Sequence, residues 1–165
     1  MAVFKANYVR RGAGERGRAK GSVRYIQHRR DKDGEKITRS LYGSDGEMTR
    51  YDAYEMIDAA KKGSFFYRFV ISPDPAKEDH HHDLDMRDIA LQTMLALEER
   101  LGEPLLWVAA THADHAPHLH AHLIAIVPHR LSVKDFESLR NRATQACLEQ
   151  RRFLDLARTH ERERP

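Results

Sequence analysis

The stretch from residue 105 to residue 127 constrains the fold more than any other part of the chain. Two apolar runs, 105–111 and 119–127, are separated by only a few residues. That gap is too short for a crossover connection, so the two strands must pair antiparallel. In the second run His118, His120 and His122 alternate with Leu119, Ala121 and Leu123. Residues two apart on a strand share a face, so one face carries imidazoles and the other carries apolar side chains.

The remaining elements are read around this pair. Residues 3–9 alternate and predict a short strand, followed by a basic, glycine-rich stretch from Gly12 to Gly21 that reads as a flexible loop. Residues 22–30 predict a short helix, and 37–42 a short strand or hairpin arm. Thr49 and Asp52 have the spacing of a capping box opening a helix that ends before Gly63. The aromatic and β-branched run 64–71 predicts a strand. Met86, Ile89, Ala90, Met94, Leu97 and Leu101 fall at helical spacing, giving a helix over 83–101 stopped by Gly102 and Pro104. Ser132 opens a last helix running to about residue 157. The expected fold is α+β: a single central antiparallel β-sheet with helices packed mainly on one face. Residues 1–157 form one domain in this reading, with 1–24 a basic, partly flexible arm and 158–165 a charged tail.

The chain has 165 residues, 41% hydrophobic and 32% charged, which suits one domain with a wet surface. No apolar run is long enough to span a membrane and the N-terminus has no apolar signal region, so a cytoplasmic protein is expected. The single Cys147 fits a reducing compartment and reads as a small buried hydrophobe. The net charge of +3 conceals an asymmetry. Residues 1–40 carry 12 Lys or Arg against 4 Asp or Glu, while the other 125 carry 16 against 21. A basic cluster at one end attracts phosphates, although a solvated arm has the same composition.

Five of the 11 histidines lie between His112 and His122. A row of imidazoles on one strand face suits a first-row divalent metal. His112, from the preceding strand, can close such a site across the pair, and Asp114 is placed to orient an imidazole. The pairs His118–His120 and His120–His122 have equal spacing. The unbroken apolar run after His122 favours His112, His120 and His122 as ligands, with His118 near them and toward a DNA phosphate. His115 and His129 read as loop or surface residues. A second run, His80-His81-His82, follows Glu78 and Asp79 and reads as a loop before a helix.

These residues resemble the relaxases of mobile plasmids and conjugative elements, within the wider class of HUH endonucleases. The family motif is H-x-D, then H-x-H leading into an apolar strand. Here His112 and Asp114 stand for the first part, and His120-Ala-His122 before Leu-Ile-Ala-Ile for the second. One residue more separates the first histidine from this pair than in the commonest form. Gly21-Ser-Val-Arg-Tyr25-Ile26 is similar to the short helix that carries the family's nucleophilic tyrosine. Tyr67-Arg-Phe-Val-Ile-Ser72 is similar to the strand ending in a serine that contacts DNA. The matches follow family order over residues 21–127. Family members commonly continue into a further domain, so the chain corresponds to the nuclease part or to a small stand-alone enzyme.

The resemblance implies a site-specific endonuclease that nicks single-stranded DNA at an origin of transfer, with accessory mobilization proteins as further partners. Tyr25 would be the nucleophile, forming a 5′-phosphotyrosyl bond, with Asp114 assisting. The cofactor would be a divalent ion, Mn²⁺ or Mg²⁺, with Zn²⁺ or Ni²⁺ as substitutes. The residues themselves supply the reason: a phenol near pKa 10 needs a nearby cation, and so does the anionic phosphodiester. Arg10, Arg11, Arg16, Arg18, Lys20 and Arg24 flank Tyr25 and read, with Ser72, as DNA contacts. Tyr8 and Tyr67 read as packing or base-stacking residues. Three other functions share these features: a replication initiator or transposase of the same class, a metal hydrolase using water, and a DNA-binding module with a structural metal.

Overall fold

The structure is a computed structural model describing residues 1–113 and 119–165. The element order is β1 (Val3–Tyr8), α1 (Glu15–His28), β2 (Leu41–Gly43), β3 (Gly46–Met48), α2 (Arg50–Asp58), β4 (Phe65–Ser72), α3 (Met86–Leu101), β5 (Trp107–His112), β6 (His120–Val127) and α4 (Val133–Arg162). The six strands form one antiparallel sheet in the order β1-β4-β6-β5-β2-β3. The strands read most clearly from the sequence, β4, β5 and β6, form its centre. Among the described residues, no helix is long and apolar enough to cross a membrane.

Helices cover both faces of the sheet, not mainly one. On one face α3 and α4 pack over Tyr67, Phe69, Leu123 and Trp107, with Met94, Leu97, Leu139 and Ala143 facing them. On the other, α1 and α2 bring Ala19, Val23, Ile26, Ala53 and Ile57 onto Leu41, Phe66, Val108 and Ile124. The central strands explain why. Residues 107–110 and 123–125 are buried without alternation, and strands buried on both faces need two apolar covers.

The basic stretch expected to be a flexible loop is helical from Glu15. Its start has no side-chain cap; Gly14 takes the left-handed conformation there, at φ 80°. Tertiary packing makes this helix. Ala19, Val23 and Ile26 fall one to two turns apart and are buried. The arm 1–24 is thus β1 plus the first turns of α1. Likewise α4 continues to Arg162, through most of the expected tail. Three capping expectations are met. Thr49 and Asp52 form a reciprocal capping box, as do Ser132 and Asp135, and Gly102 ends α3. Cys147 is buried, and burial pushes its thiol well above the usual range.

Gly43 marks the tightest approach in the sheet. A Cβ there would lie 2.8 Å from the Trp107 carbonyl oxygen and 3.1 Å from the Met48 sulfur. Gly43→Ala should therefore destabilise the protein by about 1–3 kcal/mol through overpacking. Chemical denaturation checks this; an unchanged midpoint would show that β2 can shift away from β5 at little cost.

Candidate metal and nucleic-acid site

Pairing of β5 with β6 sets His112 directly opposite His120, and His122 opposite Ala110. All three imidazoles lie on the sheet face that α1 and α2 cover, while Ala121 and Leu123 face α3 and α4. His112, His120 and His122 each offer a ring nitrogen, and these atoms lie within 4.8 Å of one another. The ring centroids of His112 and His122 are 4.4 Å apart.

Hydrogen bonding fixes the tautomer of His112. Its Nε2 is 2.7 Å from the carbonyl oxygen of Ile26 in α1. A carbonyl only accepts, so Nε2 carries the proton and Nδ1 keeps its lone pair. Nδ1 of His112 and Nε2 of His122 are buried and meet no hydrogen-bond partner among the described residues. Burial, reinforced by the neighbouring imidazoles, pulls His112 down to about 3 and His122 down to about 4. Both rings are neutral at pH 7, as metal ligands must be. Buried lone pairs converging on one point fit a divalent ion, and three nitrogen donors suit a first-row metal with an open position for substrate.

Beside the histidines lies a cleft of about 860 Å³. Helix α1 packs on β5 and β6 and leaves the neighbouring parts of β1 and β4 uncovered on this face. Lys5 and Asn7 from β1, Arg68 and Val70 from β4, and His122 from β6 form the floor. Arg10, Arg18, Ser22 and Tyr25 form the wall. Tyr25 is 53% exposed, and the Arg29 guanidinium sits 5.6 Å from its ring centre.

The tyrosines expected to pack do so. Tyr67 is 1% exposed, and its hydroxyl accepts a 2.9 Å hydrogen bond from the backbone of Leu131. Tyr8 stacks edge-on against Phe65 and Tyr67. Tyr42 is buried and pushed up to about 12 by burial. Tyr51 is exposed but lies outside the cleft.

The basic residues flanking Tyr25 divide by helix face. Arg10 and Arg18 line the cleft. Arg16 points the other way. Its guanidinium donates to the carbonyl oxygens of Ile57, Asp58 (2.8 Å) and Ala60 (2.7 Å), tying down the C-terminus of α2. Lys20 pairs with Asp58 at 2.8 Å, and Arg24 donates to the Tyr54 hydroxyl at 3.2 Å. Arg11 stacks 3.7 Å from the Phe65 ring centre and pairs with Glu15. Arg11, Arg16, Lys20 and Arg24, expected at DNA, thus each have a protein partner outside the cleft, and Arg18, which lines it, also donates to the carbonyl oxygens of Arg10 (2.6 Å) and Ala13 (3.0 Å). Ser72 ends β4 opposite Val3, on the same face as Arg68 but outside the residues lining the cleft. Asp114 and His118 lie outside the described residues.

Four cations escaped the sequence reading. Lys5 and Arg68 alternate with buried residues on β1 and β4, and that alternation was the available signal. Arg29 lies one helical turn beyond Tyr25. Arg39 is buried beside the histidines and donates to the carbonyl oxygen of Arg29 at 2.8 Å, and no local pattern marks it. No protein-family model, no curated protein and no solved structure matches the chain.

Two outcomes follow from this geometry. In metal titrations His120→Ala and His122→Ala should each abolish tight binding of one divalent ion; a His122→Ala protein that keeps it would remove His122 from the ligand set. Acid should destabilise the metal-free protein in a defined window. In the folded state His112 and His122 resist protonation down to about 3 and 4, whereas unfolded histidine titrates near 6.5. The unfolded chain therefore binds more protons below pH 6.5, and stability present above that pH is lost as pH falls toward 4. His122→Gln should flatten this slope in urea denaturation followed from pH 7 to 4; an equally steep slope would count against the assignment.

Proposed function

We propose that this α+β domain is a nuclease core of the HUH type, a relaxase that nicks single-stranded DNA of a mobile element through a tyrosine and a histidine-bound divalent ion. One observation carries the reading: the exposed Tyr25 and the ligand candidate His122 border the same cleft, which Lys5, Arg10, Arg18 and Arg68 make strongly basic. The bond from His112 to Ile26 links the histidine cluster to the residue next to that tyrosine.

The chain's residues divide the chemistry. The cleft cations hold the backbone phosphates and fix the strand's register. Arg68 is aimed by a 2.8 Å hydrogen bond from its Nε to Asn7 Oδ1. His112, His120 and His122 would hold the ion, which supplies positive charge to a non-bridging phosphate oxygen. The Arg29 guanidinium, 5.6 Å from the Tyr25 ring centre, adds positive charge beside the attacking residue. The Tyr25 oxygen attacks phosphorus as it gives up its proton to solvent, the bond from phosphorus to the 3′-oxygen breaks, and that oxygen takes up a proton. The products are a 5′-phosphotyrosyl linkage and a free 3′-hydroxyl. Because the linkage conserves the phosphoester, the reverse attack rejoins strands, as DNA transfer requires.

Incubation with labelled single-stranded oligonucleotides and Mn²⁺ or Mg²⁺ should give a denaturation-resistant adduct. Tyr25→Phe should abolish the adduct while leaving binding nearly unchanged. An adduct mapped to another tyrosine in this variant would sink the assignment, and metal-dependent cleavage without any adduct would point to water as nucleophile.

The basic residues give a second test. Arg68→Ala should weaken binding and reduce the slope of log affinity against log salt by about 1. Arg16→Ala should leave that slope intact and instead lower stability by about 1–3 kcal/mol, since its hydrogen bonds are to α2. The opposite pattern would mean that α1 meets DNA through its α2-facing side.

A further inference from the structure

The run His80-His81-His82 is not used by the proposed nuclease, and its surroundings are ordered in an unusual way. We infer that His80 and His81, together with Asp155 of α4, form a second binding site for a first-row divalent metal, of the Zn²⁺, Ni²⁺ or Cu²⁺ class.

Three observations support this. First, a ligand-capable atom from each residue lies within 4.8 Å of the others, and His80 Nε2 is 3.9 Å from Asp155 Oδ1. The two imidazole rings are 4.3 Å apart between centroids.

Second, both sides of the cluster are held in place. The buried Asp79 shapes the loop: its Oδ1 accepts from the backbone N–H groups of Asp83 (3.1 Å) and Leu84 (3.3 Å), and its carbonyl oxygen accepts from His82. His82 takes φ 54°, and no other non-glycine among the described residues has a positive φ. Across the gap the buried Arg151 holds Asp155 by 2.9 Å contacts from Nε and Nη2 to Oδ1. Carboxylates that ligate metals are themselves oriented by such hydrogen bonds.

Third, the local charge admits a cation. Arg151 and Arg158 lie near, but both are bound to Asp83, and Asp79 and Asp155 bring the carboxylates to three against two guanidiniums. Two imidazoles and one carboxylate select nitrogen-preferring metals over Mg²⁺, and three protein ligands leave a position for water. The ion would pin the 79–85 loop to the outer half of α4.

The test is a difference in stoichiometry, so it does not depend on whether the nuclease reading is correct. Full-length protein, stripped of metal, is titrated with Zn²⁺ by calorimetry beside the His80→Asn/His81→Asn double variant. Both positions are exposed, so the fold should be kept, and circular dichroism checks this. The wild type should bind one more equivalent than the variant, and a large excess of Mg²⁺ should not displace it. Equal stoichiometry in the two proteins, or displacement of the additional equivalent by Mg²⁺, would overturn the inference.

Discussion

The pairing of β5 with β6 is the constraint on which the candidate site depends. His112 faces His120 only in the observed register. A slip of one residue would turn His120 and His122 toward α3 and α4 and bring Ala121 and Leu123 to the opposite face. The apolar partners hold the register. Leu123 and Ala125 pack with Phe69 and Trp107 on one side, and Ile124 packs with Phe66 and Val108 on the other. Because both faces are covered, a slipped strand would set its apolar side chains against the wrong cover and bury the imidazoles under α3 and α4. These apolar side chains thus position the histidines.

Helix α1 converts that register into a site by using three faces at once. Ala19, Val23 and Ile26 anchor it on the sheet. Arg16, Lys20 and Arg24 join it to α2. Arg18, Ser22 and Tyr25 line the cleft. The helix starts after the left-handed Gly14 and carries Gly17 and Gly21 in its first two turns, so its own propensity is poor. Its place depends on the bonds it makes, among them Arg16 to the end of α2 and the Ile26 carbonyl to His112. The same hydrogen bond that sets the histidine's tautomer holds the helix bearing Tyr25 against the sheet.

The sequence made some of this legible and hid the rest, for physical reasons. Alternation in residues 118–127 and helical spacing in 86–101 are strong periodic signals, and β6 and α3 follow them closely. The pairing of His112 with His120 followed from one short connection. Coverage of both sheet faces was also written there, in the unbroken apolar runs of β5 and β6, but was read as a single covered face. The second half of the helix over 15–28 was expected, but its first half was hidden because its glycines and arginines imitate a loop, and its stabilising partners are far away in sequence. The basic residues illustrate the limit most directly. Proximity to Tyr25 in the chain grouped Arg16 with Arg18, yet two residues on a helix are about 200° apart, so one meets α2 and the other the cleft. Arg68 is more than 40 positions from Tyr25 in the chain and lines the same cleft.

The energetic balance of the histidine cluster bears on what it is for. Burying an imidazole nitrogen without a partner costs free energy, and apolar substitution would remove that cost. His112 Nδ1 and His122 Nε2 incur it on the same small patch. Neighbouring positions on that face, Ala110 and Ile124, show that small and branched apolar residues fit there without difficulty. Stability alone would therefore favour such residues at 112 and 122. A cation that bound the folded state at these atoms would offset the cost of their burial. These atoms lie where α1 ends and the basic cleft begins, so an ion held there would, on the proposed reading, be within reach of an anionic strand.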